Sequence, residues 1–268
     1  VKSGERVKLS RLDAAVIAVV VVVIALIGAA VLLTRAPGAP LRVAFIGPAD
    51  RGPQNVFVAP LDQPELAQQV TSAQGGIYDF APSPDGRHLV YAERVLPRNR
   101  VNLMLLDLVT GDIRTLVDCE AVNADCTTVT WGDANTLAFM RRQYDEVLDA
   151  GAGGLTRIWM IEQVLSPTPD VYPLFNNNEA TGSQPVFSAD GSMIAMYDSV
   201  SRGVLTFDFF PAVDAERVKF IPADNGVTGA LSPDGSRLIT SVLNFGVNTG
   251  GGEDNSTVRS GLLLANLQ

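Results

Sequence analysis

The sequence predicts an all-β fold, a beta-propeller of about five blades that is incomplete or open at its ends, preceded by a single transmembrane α-helix. Three observations carry this reading. A turn of the form Ser-Pro-Asp-Gly returns every few dozen residues, helical periodicity is nearly absent beyond residue 42, and an uncharged apolar run lies near the start of the chain.

The turn comes first because it sets the period. Ser83-Pro84-Asp85-Gly86, Ser188-Ala189-Asp190-Gly191 and Ser232-Pro233-Asp234-Gly235 each lead into a short apolar strand, and Trp131-Gly132-Asp133-Ala134 is a worn fourth copy. Pro presets φ at the second position of a type I turn, Asp tolerates the third, and Gly supplies the positive φ that swings the chain into the next strand. Each copy predicts a hairpin tip, with Asp85, Gly86, Asp133, Asp190, Gly191, Asp234 and Gly235 in structural roles. The tip aspartates stand 48, 57 and 44 residues apart, which suits a four-stranded blade of about 40 to 50 residues.

The remaining strands fall in order around these tips. Residues 42–46, 55–60 and 67–71 read as three strands of a leading, incomplete blade. After the first three tip strands come paired apolar runs at 102–107 and 113–117, at 158–161 and 171–174, and at 204–209 and 218–221. Residues 226–267 supply a last, incomplete blade ending at 262–267. An open sheet edge is a template for unwanted pairing, so the expectation is either a closed ring or an arc whose free edges a partner covers.

An apolar residue, Ser-Pro-Asp-Gly, two residues and an apolar strand are followed by Leu106-Asp107-Leu108-Val109-Thr110-Gly111 and then by Thr115-Leu116. This order resembles the repeat of TolB-type propellers, also called WD40-like or PD40 repeats, and residues 77–117 match it best. Later copies depart from it: Gly132 stands in place of Ser, the second and third copies lack Pro, and segment 162–173 is longer than usual. The resemblance implies a fold. The family includes periplasmic scaffold proteins, propeller domains of serine peptidases and sensors, so it names no single activity.

Residues 14–33 form an uncharged run of 20 residues, which as a helix spans about 30 Å, the hydrocarbon thickness of a bilayer. A cleaved signal peptide is the rival reading, but its apolar region is shorter and Pro40 follows the small residues where a cut would fall. Lys2, Arg6, Lys8 and Arg11 precede the run and only Arg35 and Arg42 follow closely, placing the N-terminus in the cytoplasm. The predicted organisation is a cytoplasmic tail at 1–13, a transmembrane helix at 14–34, a linker at 35–41 and an extracytoplasmic propeller at 42–268. Ala14, Ala18, Ala25 and Ala29 make a stripe of small side chains that would let another helix approach. Ala is also simply common in such spans.

Charge narrows the partners. Residues 1–35 hold 5 basic and 2 acidic residues of the 20 and 29 in the chain, leaving a net charge of −12 outside the membrane. Nucleic acid and anionic lipid surfaces do not fit such a domain. The expected partners are other membrane-protein subunits, through the helix and the propeller surface, and the bilayer itself. The bland reading of the acidity is solubility.

Cys119 and Cys126 lie seven residues apart, outside any Cys-x-x-Cys motif, and a chain with one His cannot complete a zinc or haem site with them. In an oxidising compartment the expectation is a disulfide closing a small loop; the alternative is two free, part-buried thiols. Glu253-Asp254-Asn255 and Asn176-Asn177-Asn178-Glu179 carry calcium-ligand residue types without EF-hand spacing, and loop solvation is the default. No cofactor or metal is expected. Asn255-Ser256-Thr257 fits a glycosylation sequon.

No catalytic residue is expected either. His88, the only histidine, follows a hairpin tip; no Gly-x-Ser-x-Gly elbow occurs; and the repeats occupy the residues a hydrolase domain would need. The glycines at 151–154 and 250–252 read as loops. The leading functional expectation is a non-catalytic, membrane-anchored accessory or scaffold subunit of a larger bacterial membrane complex, of the electron-transfer or envelope kind. The alternative is a stand-alone receptor or sensor for a ligand or peptide, disfavoured because only 13 residues precede the span. Phe209-Phe210, Tyr172 and the long segments 143–156 and 244–256 are candidates for contact.

Overall fold

The tip strands Leu89-Val90-Tyr91, Leu137-Ala138-Phe139 and Met193-Ile194-Ala195-Met196 are buried without a polar break. Side chains alternate across a strand, so an unbroken apolar run needs a packed layer on each side. The computed structural model describes residues 41–47, 52–144, 154–176, 181–246 and 257–267, and it gives each run those two layers.

β1 (Arg42–Gly47), β2 (Asn55–Pro60) and β3 (Gln68–Gln69) form a first sheet. β4 (Ile77–Pro82), β5 (His88–Val95), β6 (Arg100–Asp107) and β7 (Ile113–Val117) follow as an antiparallel meander. β8 (Ala124–Trp131), β9 (Thr136–Gln143), β10 (Thr156–Glu162) and β11 (Asp170–Pro173) repeat that arrangement. So do β12 (Ser183–Phe187), β13 (Met193–Asp198), β14 (Gly203–Asp208) and β15 (Val218–Pro222). β16 (Ala230–Leu231), β17 (Arg237–Gly246) and β18 (Thr257–Asn266) make a last, three-stranded sheet. The architecture described is mostly β, with open sheets, and its helical elements are two 3-10 turns, Pro64–Leu66 and Glu120–Val122.

The described residues divide into two units, residues 41–43 with 59–66 and the described part of residues 44–58 with 67–267. In the first, the Leu61 N–H donates to the Leu41 carbonyl at 2.8 Å. The second holds four apolar clusters, each shared by successive sheets. Val56, Ile77, Leu89, Tyr91 and Leu106 join the first sheet to the second. Val90, Leu103, Leu137 and Phe139 join the second to the third. Ala138, Ile158, Met160, Ile194 and Met196 join the third to the fourth, and Met193, Ala195, Val204, Leu238 and Leu267 join the fourth to the last. Each central strand thus sends odd and even positions to different clusters. A fully buried Leu, Ile or Phe contributes about 1.5–3 kcal/mol, so these layers carry most of the cohesion between sheets.

Three expectations need adjusting. The strand expected at 67–71 pairs only over Gln68–Gln69. Beyond it one backbone bond remains, from the Val70 N–H to the Val56 carbonyl at 2.9 Å, and then Thr71 Oγ1 accepts the Val56 N–H at 2.8 Å and Asn55 Oδ1 accepts the Ala73 N–H at 2.7 Å, so side chains take over from the ladder. The second and third sheets are joined along one edge into eight strands: β6 and β8 meet in parallel at Val101 and Asp125, where the Val101 N–H donates to Asp125 Oδ1 at 3.1 Å. The final strand begins at Thr257, earlier than the run at 262–267 indicates. The span at 14–34, its flanks at 1–13 and 35–40 and the stripe Ala14, Ala18, Ala25 and Ala29 lie outside the described residues. Among the described residues no helix is long and apolar enough to cross a membrane.

Candidate functional site

The three Ser-x-Asp-Gly tips are superimposable in their bonding. Each Ser hydroxyl donates to the Asp two residues on, at 2.5 Å for Ser83 and 2.6 Å for Ser188 and Ser232. That hydroxyl accepts the N–H five residues on, from His88 at 2.9 Å, Met193 at 3.0 Å and Arg237 at 2.9 Å. The same Asp oxygen accepts the N–H of Arg87, Ser192 or Ser236. Gly86, Gly191 and Gly235 take φ of 68°, 71° and 67°, a conformation that costs glycine little. The hydroxyl and N–H donors hold Asp85, Asp190 and Asp234 below the usual carboxylate range, Asp234 down to about 2.

The worn tip is built differently. Asp133 Oδ1 still accepts the Asn135 N–H at 2.7 Å, but no hydroxyl faces it from position 132. A Cβ on Gly132 would lie 2.9 Å from the Phe187 ring, so the neighbouring sheet's aromatic fills the place a Ser would need. Consecutive tips also touch. The Trp131 indole N–H donates to the Ala81 carbonyl at 3.0 Å, and the Asp190 N–H donates to the Pro233 carbonyl at 3.1 Å. A Cβ on Gly191 would come within 3.0 Å of the Gly132 carbonyl oxygen.

Two clefts open between these tips. One, of about 330 Å³, has Met160, Phe187 and Phe209 in its wall, with Phe210, Asp133, Glu162 and Asp190 around them. Phe187 and Phe209 stack at 6.1 Å between centroids. The Phe209 N–H donates to the Ser192 carbonyl at 3.0 Å and the Phe210 N–H to Asp208 Oδ1 at 2.8 Å, so both rings ride on a fixed backbone. Tyr172 donates its hydroxyl to Glu162, and burial with that bond raises its pKa. The other cleft, of about 340 Å³, contains Arg217 and Lys219 as well as Asp208, Glu216 and Asp234.

A third surface is the outer face of the last sheet. On β17 and β18, Leu238 pairs with Ala265 and Thr240 with Leu263 on the side that packs inward. Ile239 pairs with Leu264, and Ser241 with Leu262, on the side that does not. Ile239, Leu262 and Leu264 are 41%, 77% and 63% exposed. Ile239 and Leu264 flank an open groove of about 610 Å³ with Leu231 and Pro233.

Cys119 and Cys126 are bonded to each other, with their Cα atoms 6.1 Å apart, across the short turn Glu120–Val122. The bond sits within the apolar cluster between the second and third sheets rather than on the surface. His88 Nε2 lies 3.9 Å from Asp107 Oδ2 at the start of β5. Among the described residues no group of three or more His, Cys, Asp or Glu side chains could hold a metal ion. Residues 253–255 and 177–179 lie outside the described residues, as do most of the long segments at 143–156 and 244–256.

Sequence reasoning gave no warning of the register shifts in β4, β8 and β12. Thr128 and Gln184 take φ of 53° and 51° where the registers of β8 and β12 shift. Asp79 Oδ2 accepts the Val129 N–H at 3.3 Å across the sheet boundary, and Thr228 Oγ1 donates to the Gln184 carbonyl at 2.7 Å. Asp79 Oδ1 is buried without a hydrogen-bond partner, and burial raises that carboxyl's pKa against the N–H groups of Thr128 and Val129. Gly76 and Gly229, with φ of 88° and 94° directly before β4 and β16, leave a trace of such bends in the sequence.

No family model matches the chain, and no curated protein matches it. Among solved structures, TolB from Acinetobacter baumannii is similar at 19% identity and a TM-score of 0.52, over 83% of this chain and 52% of that one. A protein assigned as TolB from Agrobacterium tumefaciens is similar at 17% identity and a TM-score of 0.52, over 72% and 67%. A puromycin-hydrolyzing peptidase from Mycobacterium tuberculosis is similar at 13% identity and a TM-score of 0.51, over 84% and 34%. The chain therefore spans about half of the first of these proteins and a third of the last. At such identities the likeness is one of fold: the chain has a distant, TolB-like all-β fold.

Proposed function

We propose that this chain is a non-catalytic scaffold: a five-bladed, open propeller arc, held outside a bacterial membrane by a single N-terminal helix, that serves as an accessory subunit of a larger membrane complex. One observation carries the reading. The central strand of every inner sheet buries both of its faces, whereas the last sheet leaves Ile239, Leu262 and Leu264 uncovered. An exposed apolar patch of this kind marks a contact surface, and the patch supports a partner whose own apolar surface completes the stack. The apolar run at 14–33 supports the anchor, and the excess of basic residues before it supports the orientation. Gentle solubilisation of native membranes followed by sedimentation tests the reading. The wild-type chain should travel in a larger assembly and a Leu262→Asp, Leu264→Asp chain should travel alone. A wild-type chain sedimenting at monomer size would contradict it.

A further inference from the structure

The aromatic cleft between the third and fourth sheets is a separate surface, on the rim formed by the hairpin tips. At position 132 the tip has Gly where the other three have Ser, and Phe187 packs against the bare backbone, its ring 2.9 Å from where a Cβ would lie. The walls are Met160, Phe187 and Phe209, and Phe210 stands over them 79% exposed. A ring so exposed on so well tied a backbone is available to a ligand, and a cavity of about 330 Å³ lies at the lower end of the range of ligand sites.

Charge selects the occupant. The lining carries Asp133, Glu162 and Asp190 and no Lys or Arg. The neighbouring cleft supplies its own countercharges, Arg217 and Lys219, and Lys219 is already engaged with the Leu267 carbonyl. An aromatic wall edged with carboxylates that have hydrogen-bond donors but no basic side chain beside them in the lining attracts a cation through both the ring faces and the charges. The apolar wall leaves room beside it for a hydrocarbon neighbour.

We propose that this cleft receives an arginine or lysine side chain, next to an apolar residue, presented by an extended segment of a partner polypeptide. Phe209 and Phe210 embrace the aliphatic stem and the planar or ammonium head, and Glu162 and Asp133 face the charge. Asp190 holds the tip in shape as well as contributing charge, so it is left intact in the test.

The test is fluorescence anisotropy with the full chain in an uncharged detergent and Ala-Leu-Arg-Leu-Ala, labelled with fluorescein at its N-terminus through an aminohexanoyl spacer and amidated at its C-terminus. The peptide with citrulline in place of arginine has the same shape without the charge. The arginine peptide should bind at least about tenfold more tightly than the citrulline peptide. Phe210→Ala and Glu162→Gln should each weaken it about fivefold or more. Both side chains are exposed, and an unchanged Tm would show that the fold is intact. Equal binding of the two peptides, binding untouched by both variants, or no binding of the arginine peptide at millimolar concentration would overturn the proposal.

Discussion

The fourth sheet and the last sheet carry the same tip and the same antiparallel pairing, yet they differ in what lies on their far sides. On β13, Ile194 and Met196 face the third sheet while Met193, Ala195 and Tyr197 face the last. On β17, Leu238 and Thr240 face inward while Ile239 meets an open groove together with Leu264 of β18. β13 is apolar from Met193 to Tyr197, whereas Thr240 and Ser241 interrupt the apolar pattern of β17, yet Ile239 is the same residue type as Ile194. What separates these two isoleucines is the layer beyond, and a layer is a property of the assembled sheets that no strand encodes alone.

Substitutions should expose that difference directly. Ile194→Ala removes a fully buried side chain and should cost about 2–5 kcal/mol in denaturant unfolding. Leu264→Ser, on the open side of the last sheet, should change the stability of the isolated chain by about 0.5 kcal/mol or less. Comparable losses at the two positions would mean that the outer face is covered within the chain itself.

Much of this arrangement can be read from the sequence, for a physical reason. The tips are local: Ser, Asp and Gly within a few residues specify bonds to one another, so Asp85, Asp190 and Asp234 fall where turn chemistry puts them. The open face of the last sheet and the aromatic cleft depend on residues far apart in sequence. Phe209-Phe210 stood out as a contact candidate, but its pairing with Phe187 and Gly132 needed two sheets to be laid together. The bends at Thr128 and Gln184 left no residue signature, because a positive φ at a non-glycine position is imposed by the neighbouring sheet. The membrane anchor rests on the sequence alone.

Restoring the repeat at its worn tip sharpens the comparison at smaller amplitude. Gly132→Ser would recreate the hydroxyl found at the other three tips but drive its Cβ to within 2.9 Å of the Phe187 ring. Such overpacking should cost about 1–3 kcal/mol, and chemical unfolding followed by the fluorescence of Trp131 and Trp159 would read it. A gain in stability would show that Phe187 yields easily and that the cleft is soft.

The smallest effect is electrostatic and belongs to the tips. Asp234 is held down to about 2 by the Ser232 hydroxyl first and the Ser236 N–H next, against about 3.9 in an unfolded chain. A depressed carboxyl contributes stability that is fully present above the unfolded value and is lost as pH falls through the folded one. The contribution should therefore fade between about pH 4 and pH 2. In Ser232→Ala the carboxyl should titrate closer to the ordinary value, as read by carboxyl carbon NMR. An unmoved titration would mean that the hydroxyl is not the main cause.

The claim that matters most is that the outer face of the last sheet is covered in the membrane and bare in the isolated chain. The native cysteines are bonded to each other, so Leu264→Cys would offer a new thiol for a polar maleimide, with Val109→Cys as an exposed control. Position 264 should be protected in native membranes and should react as fast as position 109 once the chain is purified. Equal reaction at position 264 in both settings would contradict the account.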